Sequence, residues 1–571
     1  MPAAWEISIL ETLELLDGSL KEFAAGIADD RYAIWLGAGV SLEKLPGLKG
    51  VSEAILEHLR SKIDPGNPAC AFRSCLNEVL ALVALDGTQR AAINFSTPVA
   101  TWGPIEQIKQ QLVNCYAVML DQFPATEAPD YLVWEGVRVA DRYADPETMP
   151  GAEHLGLAAL IMEGVASDCA SANWDDLIEK AVRIADGPNS SVLQVRVVPT
   201  DVQDNIRRAR LYKFHGCAAL AGQNEVVYRQ RIVGRQSQID GWAAKAENQV
   251  IAGKMLDLAV SKGTLMLGLS AQDANIQDVF VRARTQLPAK FPAHPPAVMV
   301  SEDKVGVRQR TLLQNFYVED YPTQSEAIHE ASLVRSFAGA LLPALWLHII
   351  CAKLSAFVDT AAAGLPPGER DELRRGLQRL RDLGAGVATV GDHEAFMHAA
   401  LSQLGRAIRL FHHGRNSTAP GGLYAPLTDT GVSRTLANPH LASTGLVELS
   451  LGLAIIGHGE QQGHWTCTMP DTDDPKSGVI EVDGLAGRSQ VFFAGSAHAA
   501  AQMFAEGHLS DDDDAIVVNS FAPPDRAARH PTSAPGRTGK VQLRELSISS
   551  ISDGTDNLDT ILQRFKMEAA I

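Results

Sequence analysis

Cysteine is scarce in this sequence: seven residues in 571, with no Cys-x-x-Cys pair. Cys70 and Cys75 stand closest together, and no further pair follows at metal-ligand spacing. That argues against a disulfide framework and a zinc module, and it suits reduced thiols in a cytoplasmic protein. Positive charge is also short, with 50 Lys and Arg against 68 Asp and Glu, a formal net charge of −18. Such a surface repels nucleic acid and anionic lipid except where a local basic patch overrides it. Long apolar runs are missing, with one exception. The 17 residues between Arg335 and Lys353 carry no formal charge but include Pro343 and His348. They fall short of the roughly 20 residues of a spanning helix, so a buried interdomain or oligomer helix is expected around Leu341, Leu345, Trp346 and Ile350, and no membrane association. Residues 1–6 lack a basic start followed by an apolar core, so no secretory leader is expected.

What is present is ordinary globular usage, 46% hydrophobic and 21% charged, in a length that suits two or three domains. Up to about residue 330, short apolar runs alternate with helical patterns. Strands are expected at 32–36, 165–170, 211–214, 264–267, 297–300 and 316–319. Helices are expected at 52–62, 175–184, 275–284 and 305–314. Strands that alternate with helices imply a parallel sheet covered on both faces, with ligands at the carboxyl ends of the strands. Beyond 331 the pattern changes to three helices, at 332–361, 366–383 and 393–412. Loops and strands follow, at 446–456, 478–482, 490–493, 515–519 and 540–548. The expected division is therefore 1–330 and an accessory region, 331–571.

Four motifs follow the apolar runs of the first part. Gly37-Ala38-Gly39-Val40-Ser41 comes directly after the first strand; a turn without Cβ atoms lets backbone amides approach a pyrophosphate. Ser171-Ala-Asn173-Trp-Asp175 follows a second run, with a residue that could equally cap the next helix. Lys213-Phe-His215-Gly216 places a histidine at a strand end. Gly268-Leu-Ser270-Ala-Gln-Asp273 follows a fourth. Each alone also fits a structural role.

Taken in order, these motifs resemble the sirtuin family, specifically its bacterial sirtuin-like NADase branch, over residues 15–330. Asn315-Phe-Tyr-Val-Glu-Asp-Tyr321 looks like the end of that domain. The resemblance implies a Rossmann-like α/β sheet that takes NAD as substrate. It assigns Gly37, Ala38, Gly39 and Ser41 to the pyrophosphate, and Asn173 to the ribose and the attacking water. It further assigns Asp175 to the nicotinamide amide, His215 to the general base, Gly268 and Ser270 to the ribose, and Asp273 to bracing its loop.

The departures from the family pattern carry information too. Deacylases of this family have a module of zinc-binding cysteines between the His-Gly and the later Gly-x-Ser, where this chain has only Cys217. The Asp-Phe-Arg that follows their first motif is replaced by Leu42-Glu-Lys-Leu-Pro-Gly-Leu48. Without an acyl-lysine groove, water becomes the acceptor, giving nicotinamide and ADP-ribose; deacylation and a silent nucleotide sensor are the alternatives. The resemblance further implies an antiphage effector that depletes NAD, gated through residues 331–571 by a HerA-like ATPase or a short Argonaute, as a cytoplasmic homo-oligomer. Arg207, Arg208, Arg210, Lys213, Arg229, Arg231 and Arg235 flank His215, either as a phosphate or nucleic-acid surface or as a solvated basic face. Neither Asp511–Asp514 nor His412-His413 has a ligand pattern, so no metal is expected.

Overall fold

The computed structural model describes residues 3–203, 208–271, 274–286, 290–389, 391–416, 421–470, 474, 476–485, 487–510, 513–522 and 543–571. Its first part is a sheet of seven parallel strands: β1 Tyr32–Leu36, β2 Asp168–Ser171, β3 Leu193–Arg196, β4 Ala209–Lys213, β5 Gly263–Leu267, β6 Val298–Ser301 and β7 Leu333–Val334. The strand order is β3-β4-β2-β1-β5-β6-β7. The sheet is flanked by helices, a Rossmann-like α/β arrangement. β1 is the earliest strand and lies near the middle, so the chain builds outward on one side and then crosses to the other. That reversal is where open α/β sheets leave a crevice at their carboxyl ends.

Every residue of β1 is buried. Tyr32, Ile34 and Leu36 enter one core, and Ala33 and Trp35 enter the core on the opposite face. This two-sided burial explains why β1 reads as a continuous apolar run rather than an alternating one. Between β1 and β2 the chain inserts a helical lobe with a core of its own, which includes Ile55, Leu56, Leu76, Ile108, Leu112 and Leu132. Ala218, Ala221 and Ile232, from the segment after β4, complete that core. The lobe is thereby anchored beside the strand ends.

Two expected strands are corrected. Residues 316–319 are not a strand: the helix Val307–Phe316 runs into them, and the Tyr317 N–H donates to Leu313 O at 2.9 Å. Leu312, Leu313 and Phe316 bury at helical spacing, which outweighs the short Phe-Tyr-Val run. The last strand of this sheet is β7, just past the boundary expected at 330. Residues 446–456 lie in the helix Leu446–Gln461, which has 12 buried residues distributed around its circumference. A helix buried on all sides shows no amphipathic period. Three strands went unanticipated: β3 is a half-buried edge strand containing Gln194 and Arg196, β7 occupies the start of the helix expected at 332–361, which begins instead at Ala338, and β8 Thr466–Thr468 has three residues.

The accessory region carries a second sheet, ordered β12-β11-β10-β9-β8, formed with β9 Ile480–Gly484, β10 Gly487–Ala494, β11 Ala515–Asn519 and β12 Leu543–Ser547. β10, β11 and β12 run parallel, while β9 pairs antiparallel with both β8 and β10. Asp511 and Asp512 fall outside the described residues; Asp513 pairs with Lys476 and Asp514 with Arg544. The helix Ala338–Ala361 joins the two parts. It is long and apolar enough to cross a membrane by composition alone, yet Leu345 and Trp346 have no exposure. Leu341–Ile349 belong to the core of the first sheet, whereas Cys351, Phe357 and Val358 belong to that of the accessory region. The stretch thus packs between the two parts of the chain, with Leu345 and Trp346 fully covered.

A buried ion pair pins this joint. Lys353 Nζ lies 2.6 Å from Glu163 Oε2, with both side chains fully buried. The Lys353 ammonium also donates to the Glu163 and Thr428 carbonyls. The other Glu163 oxygen accepts from Tyr424 Oη and from the Leu427 N–H. Removing one partner strands the other charge in the interior. Lys353→Met is expected to cost about 3–5 kcal/mol, read as a lowered denaturation midpoint; an unchanged midpoint would refute the pinning role.

Candidate functional site

The four motifs begin level with one another. Leu36 pairs with Ser171 and with Leu267, and Ser171 pairs with Lys213, so the ends of β4, β2, β1 and β5 form one continuous rim. Residues far apart in sequence are brought together because these strands are neighbours in the sheet.

At the centre of the rim the β1 and β5 loops touch through backbone. A Cβ on Gly37 would lie 2.4 Å from Gly268 O, and one on Gly39 would lie 2.5 Å from Gly268 Cα. Gly268 itself has φ of +56°, the left-handed region that favours glycine. The Gly37 N–H donates to Leu267 O and the Gly39 N–H to Gly268 O, both at 3.0 Å. These two amides therefore clamp the loops to each other. Ala38 and Gly39 form the exposed tip of the turn.

Ser41, at the end of the turn, is buried and bonded within the protein. Its hydroxyl donates to Asp175 Oδ2 at 3.1 Å and lies 3.2 Å from His154 Nε2. Asn173 Nδ2 donates to Gly37 O at 3.1 Å and reaches Ser41 Oγ at 3.4 Å. With its amide nitrogen so fixed, Asn173 turns Oδ1 away, and that oxygen is buried without a hydrogen-bond partner. Unpartnered buried acceptors are rare in proteins and call for a specific reason. Asp175 Oδ1 accepts from the Leu177 N–H at 3.2 Å, where the next helix begins. Its carbonyl accepts from the Lys213 ammonium, which is fully buried and ion-paired with Glu179 at 2.6 Å.

His215 is 5% exposed. Its Nε2 faces Asn275 Nδ2 at 3.1 Å, an arrangement in which the ring nitrogen accepts. Phe214 packs edge-on at 4.6 Å. Gly216, at φ +92°, makes the sharp turn that follows, where a Cβ would meet Arg231 O at 2.5 Å. Ser270 is exposed at the end of the β5 loop. Asp273 lies outside the described residues, as does Arg207. The other basic residues near His215 are engaged by protein groups: Arg210 with Asp168, Arg229 with Asp130 and Glu225, Arg235 with Asp121, and Arg208 with Asp429. Arg231 donates to Glu247 O. Cys217 is buried beside Lys213. Among the described residues, no group of three or more His, Cys, Asp and Glu side chains is placed to hold a metal ion.

Two residues of this site were absent from the sequence reading. Asn275 lies in the first turn of the helix Ala274–Gln286, and a short polar side chain at the start of a helix that follows a strand was the available signal. His154 lies in the first turn of the helix Ala152–Met162. It belongs to no motif, and nothing near it in sequence marked it.

Fold and site together define a Rossmann-like α/β protein with a largely buried polar cluster at the ends of its central strands. Residues 169–321 match the family model described as a SIR2-like domain. The match covers Asn173, Asp175, His215, Gly268 and Ser270, and it begins after the Gly-Ala-Gly turn. It supports a sirtuin-like kinship for this part and an NAD-related activity in general. No curated protein matches the chain.

The contact between the turns gives a direct test. Gly39→Ala places a Cβ against backbone that cannot rotate away, which should cost about 1–3 kcal/mol and lower the melting temperature. Ala38→Ser at the exposed tip should leave it unchanged. Equal melting of the two variants would refute the clamp.

Proposed function

We propose that the chain is an NAD glycohydrolase that releases nicotinamide and leaves ADP-ribose. The observation that carries this reading is the buried, unpartnered Oδ1 of Asn173. It sits beside the glycine turn at the rim, inside the segment that matches the SIR2-like family. An acceptor held without a partner suits a hydroxyl or water that arrives with the substrate.

The chemistry follows from what these side chains can do. As nicotinamide leaves the anomeric carbon, positive charge builds on the ribose, as in glycosidic cleavage. Asn173 Oδ1 accepts a hydrogen bond from the attacking water and aims it, an orientational contribution. His215 keeps its Nε2 lone pair because Asn275 donates to that nitrogen; Asn275 yields as the proton from the substrate side arrives. The Asp175 carboxylate supplies the acceptor for the nicotinamide amide. The β1 turn, with Ala38 and Gly39 at its tip, takes the pyrophosphate, and Gly268 and Ser270 take the ribose. Ser41 serves by holding Asn173 and Asp175. Water is favoured over acyl-lysine as acceptor by the single cysteine, Cys217, between Gly216 and Gly268.

In this reading the protein is a cytoplasmic, NAD-depleting effector of antiphage defence. A HerA-like ATPase or a short Argonaute controls it through residues 331–571. The test is nicotinamide release by the purified chain, alone and after co-expression with its genomic neighbour. Asn173→Ala and His215→Ala should each lower release by about 10²–10⁴-fold while thermal melting stays close to that of the parent. Full activity in both variants would overturn the reading.

A further inference from the structure

His154 is 1% exposed and lies within hydrogen-bond reach of the site's central hydroxyl. The Gly151 N–H donates to its Nδ1 at 3.1 Å. A ring nitrogen that accepts an N–H carries no proton, so the neutral imidazole has its proton on Nε2. That nitrogen lies 3.2 Å from Ser41 Oγ and donates to it. Ser41 has a single proton, and it points to Asp175 Oδ2, because a carboxylate only accepts. The lone pairs of Ser41 then face His154 and the Asn173 amide nitrogen. The order runs one way, from Gly151 through His154 and Ser41 to Asp175, with Asn173 held from the side.

The charges around the ring do not disturb this order. Glu153 Oε1 lies 3.7 Å from Nδ1 and would form an ion pair only with a protonated ring. Asp175 and Glu394 favour a charged ring, while Lys44 and Lys213 oppose one. Burial dominates and pushes the imidazole down to about 4, so it is neutral at physiological pH. Burial likewise pushes the Glu153 carboxyl up to about 7.

We infer that His154 is a positioning residue: by donating to Ser41 it fixes the Asn173 amide and the Asp175 carboxylate in the orientation that NAD cleavage requires. This rests on the glycohydrolase reading above. His154 touches no substrate in this scheme. Without its donor the Ser41 hydroxyl is free to turn, and Asn173 loses one of the two acceptors that aim Oδ1.

Two substitutions separate positioning from mere support. His154→Asn keeps an acceptor for the Gly151 amide but is too short to reach Ser41. His154→Gln reaches Ser41 but leaves the Gly151 amide unpaired. The readouts are kcat and KM for nicotinamide release, NAD affinity by calorimetry, and melting temperature. Positioning predicts that His154→Asn loses about 10- to 100-fold in kcat at near-parental melting temperature, and that His154→Gln keeps kcat within a few-fold while melting lower. Ser41→Ala should lose activity comparably, and Ser41→Ala combined with His154→Asn should lose little more than Ser41→Ala alone. Activity that simply follows melting temperature, additive losses, or a His154→Asn variant with parental kcat and NAD affinity would each overturn the inference while leaving NAD cleavage standing. A parental chain that neither binds nor cleaves NAD would overturn both.

Discussion

The ends of β1 and β5 meet with no side chain between them, and the arrangement of the site depends on that contact. Gly37 and Gly39 press on Gly268 at distances that no Cβ could occupy, and each donates its amide across the gap. The closeness fixes where the β1 turn goes next, and so where Ser41 enters the interior. A wider gap would move Ser41 away from Asn173 and Asp175 on the neighbouring β2 loop. The glycines thus have a mechanical reason that precedes any ligand. They lock two loops at the point where the sheet reverses its direction of growth, and they expose only the tip of the turn.

Around that lock, polar groups are buried and nearly all engaged. Ser41 joins three side chains, Lys213 ties Asp175 to Glu179, and Asn275 holds His215. A buried network of this kind is rigid because every group that moves must break a bond in a medium that offers no water in exchange. Among the described residues here, the buried acceptors without a hydrogen-bond partner are Asn173 Oδ1 and the outer carboxylate oxygens Asp176 Oδ1 and Glu179 Oε2, and of these the Asn173 oxygen lies beside the glycine turn. On the proposed function, rigid surroundings around that oxygen amount to preorganisation: the group is oriented before a substrate arrives.

Much of this was legible in the sequence, for a physical reason. A buried parallel strand is a short apolar run, and the loop after it must turn at once, so glycine and polar residues mark each strand end within a few positions. That is how the Gly37–Ser41, Asn173–Asp175, His215–Gly216 and Gly268–Ser270 segments came to view. His154 and Asn275 escaped because their partners lie at distant sequence positions, and only strand order brings them near. The helix at Leu446–Gln461 was read as a strand because burial on all sides removes the period that distinguishes the two. At Phe316 the apolar run was read too locally, without Leu312 and Leu313 one turn earlier. β3 was missed because an edge strand tolerates Gln194 and Arg196, which break an apolar pattern.

How the accessory region could influence the rim is constrained by the helix Ala338–Ala361. Its first half completes the core of the parallel sheet and its second half that of the accessory region, with Lys353 and Glu163 paired at the joint. Rotating the two parts as rigid bodies would expose both cores and separate a fully buried pair, a cost of several kcal/mol. A smaller lever exists at the surface. Lys44, three residues beyond Ser41, pairs at 2.6 Å with Glu394 in the first turn of the accessory helix His393–His413. Both side chains are partly exposed, so the pair contributes at most about 1 kcal/mol. An event on that helix could release it without opening a core. The segment it would release runs straight back to Ser41, and from there to the hydroxyl on which Asn173 and Asp175 converge. For the control through residues 331–571 that the proposed function calls for, a local slackening of the β1 loop therefore costs less than any movement of one part against the other.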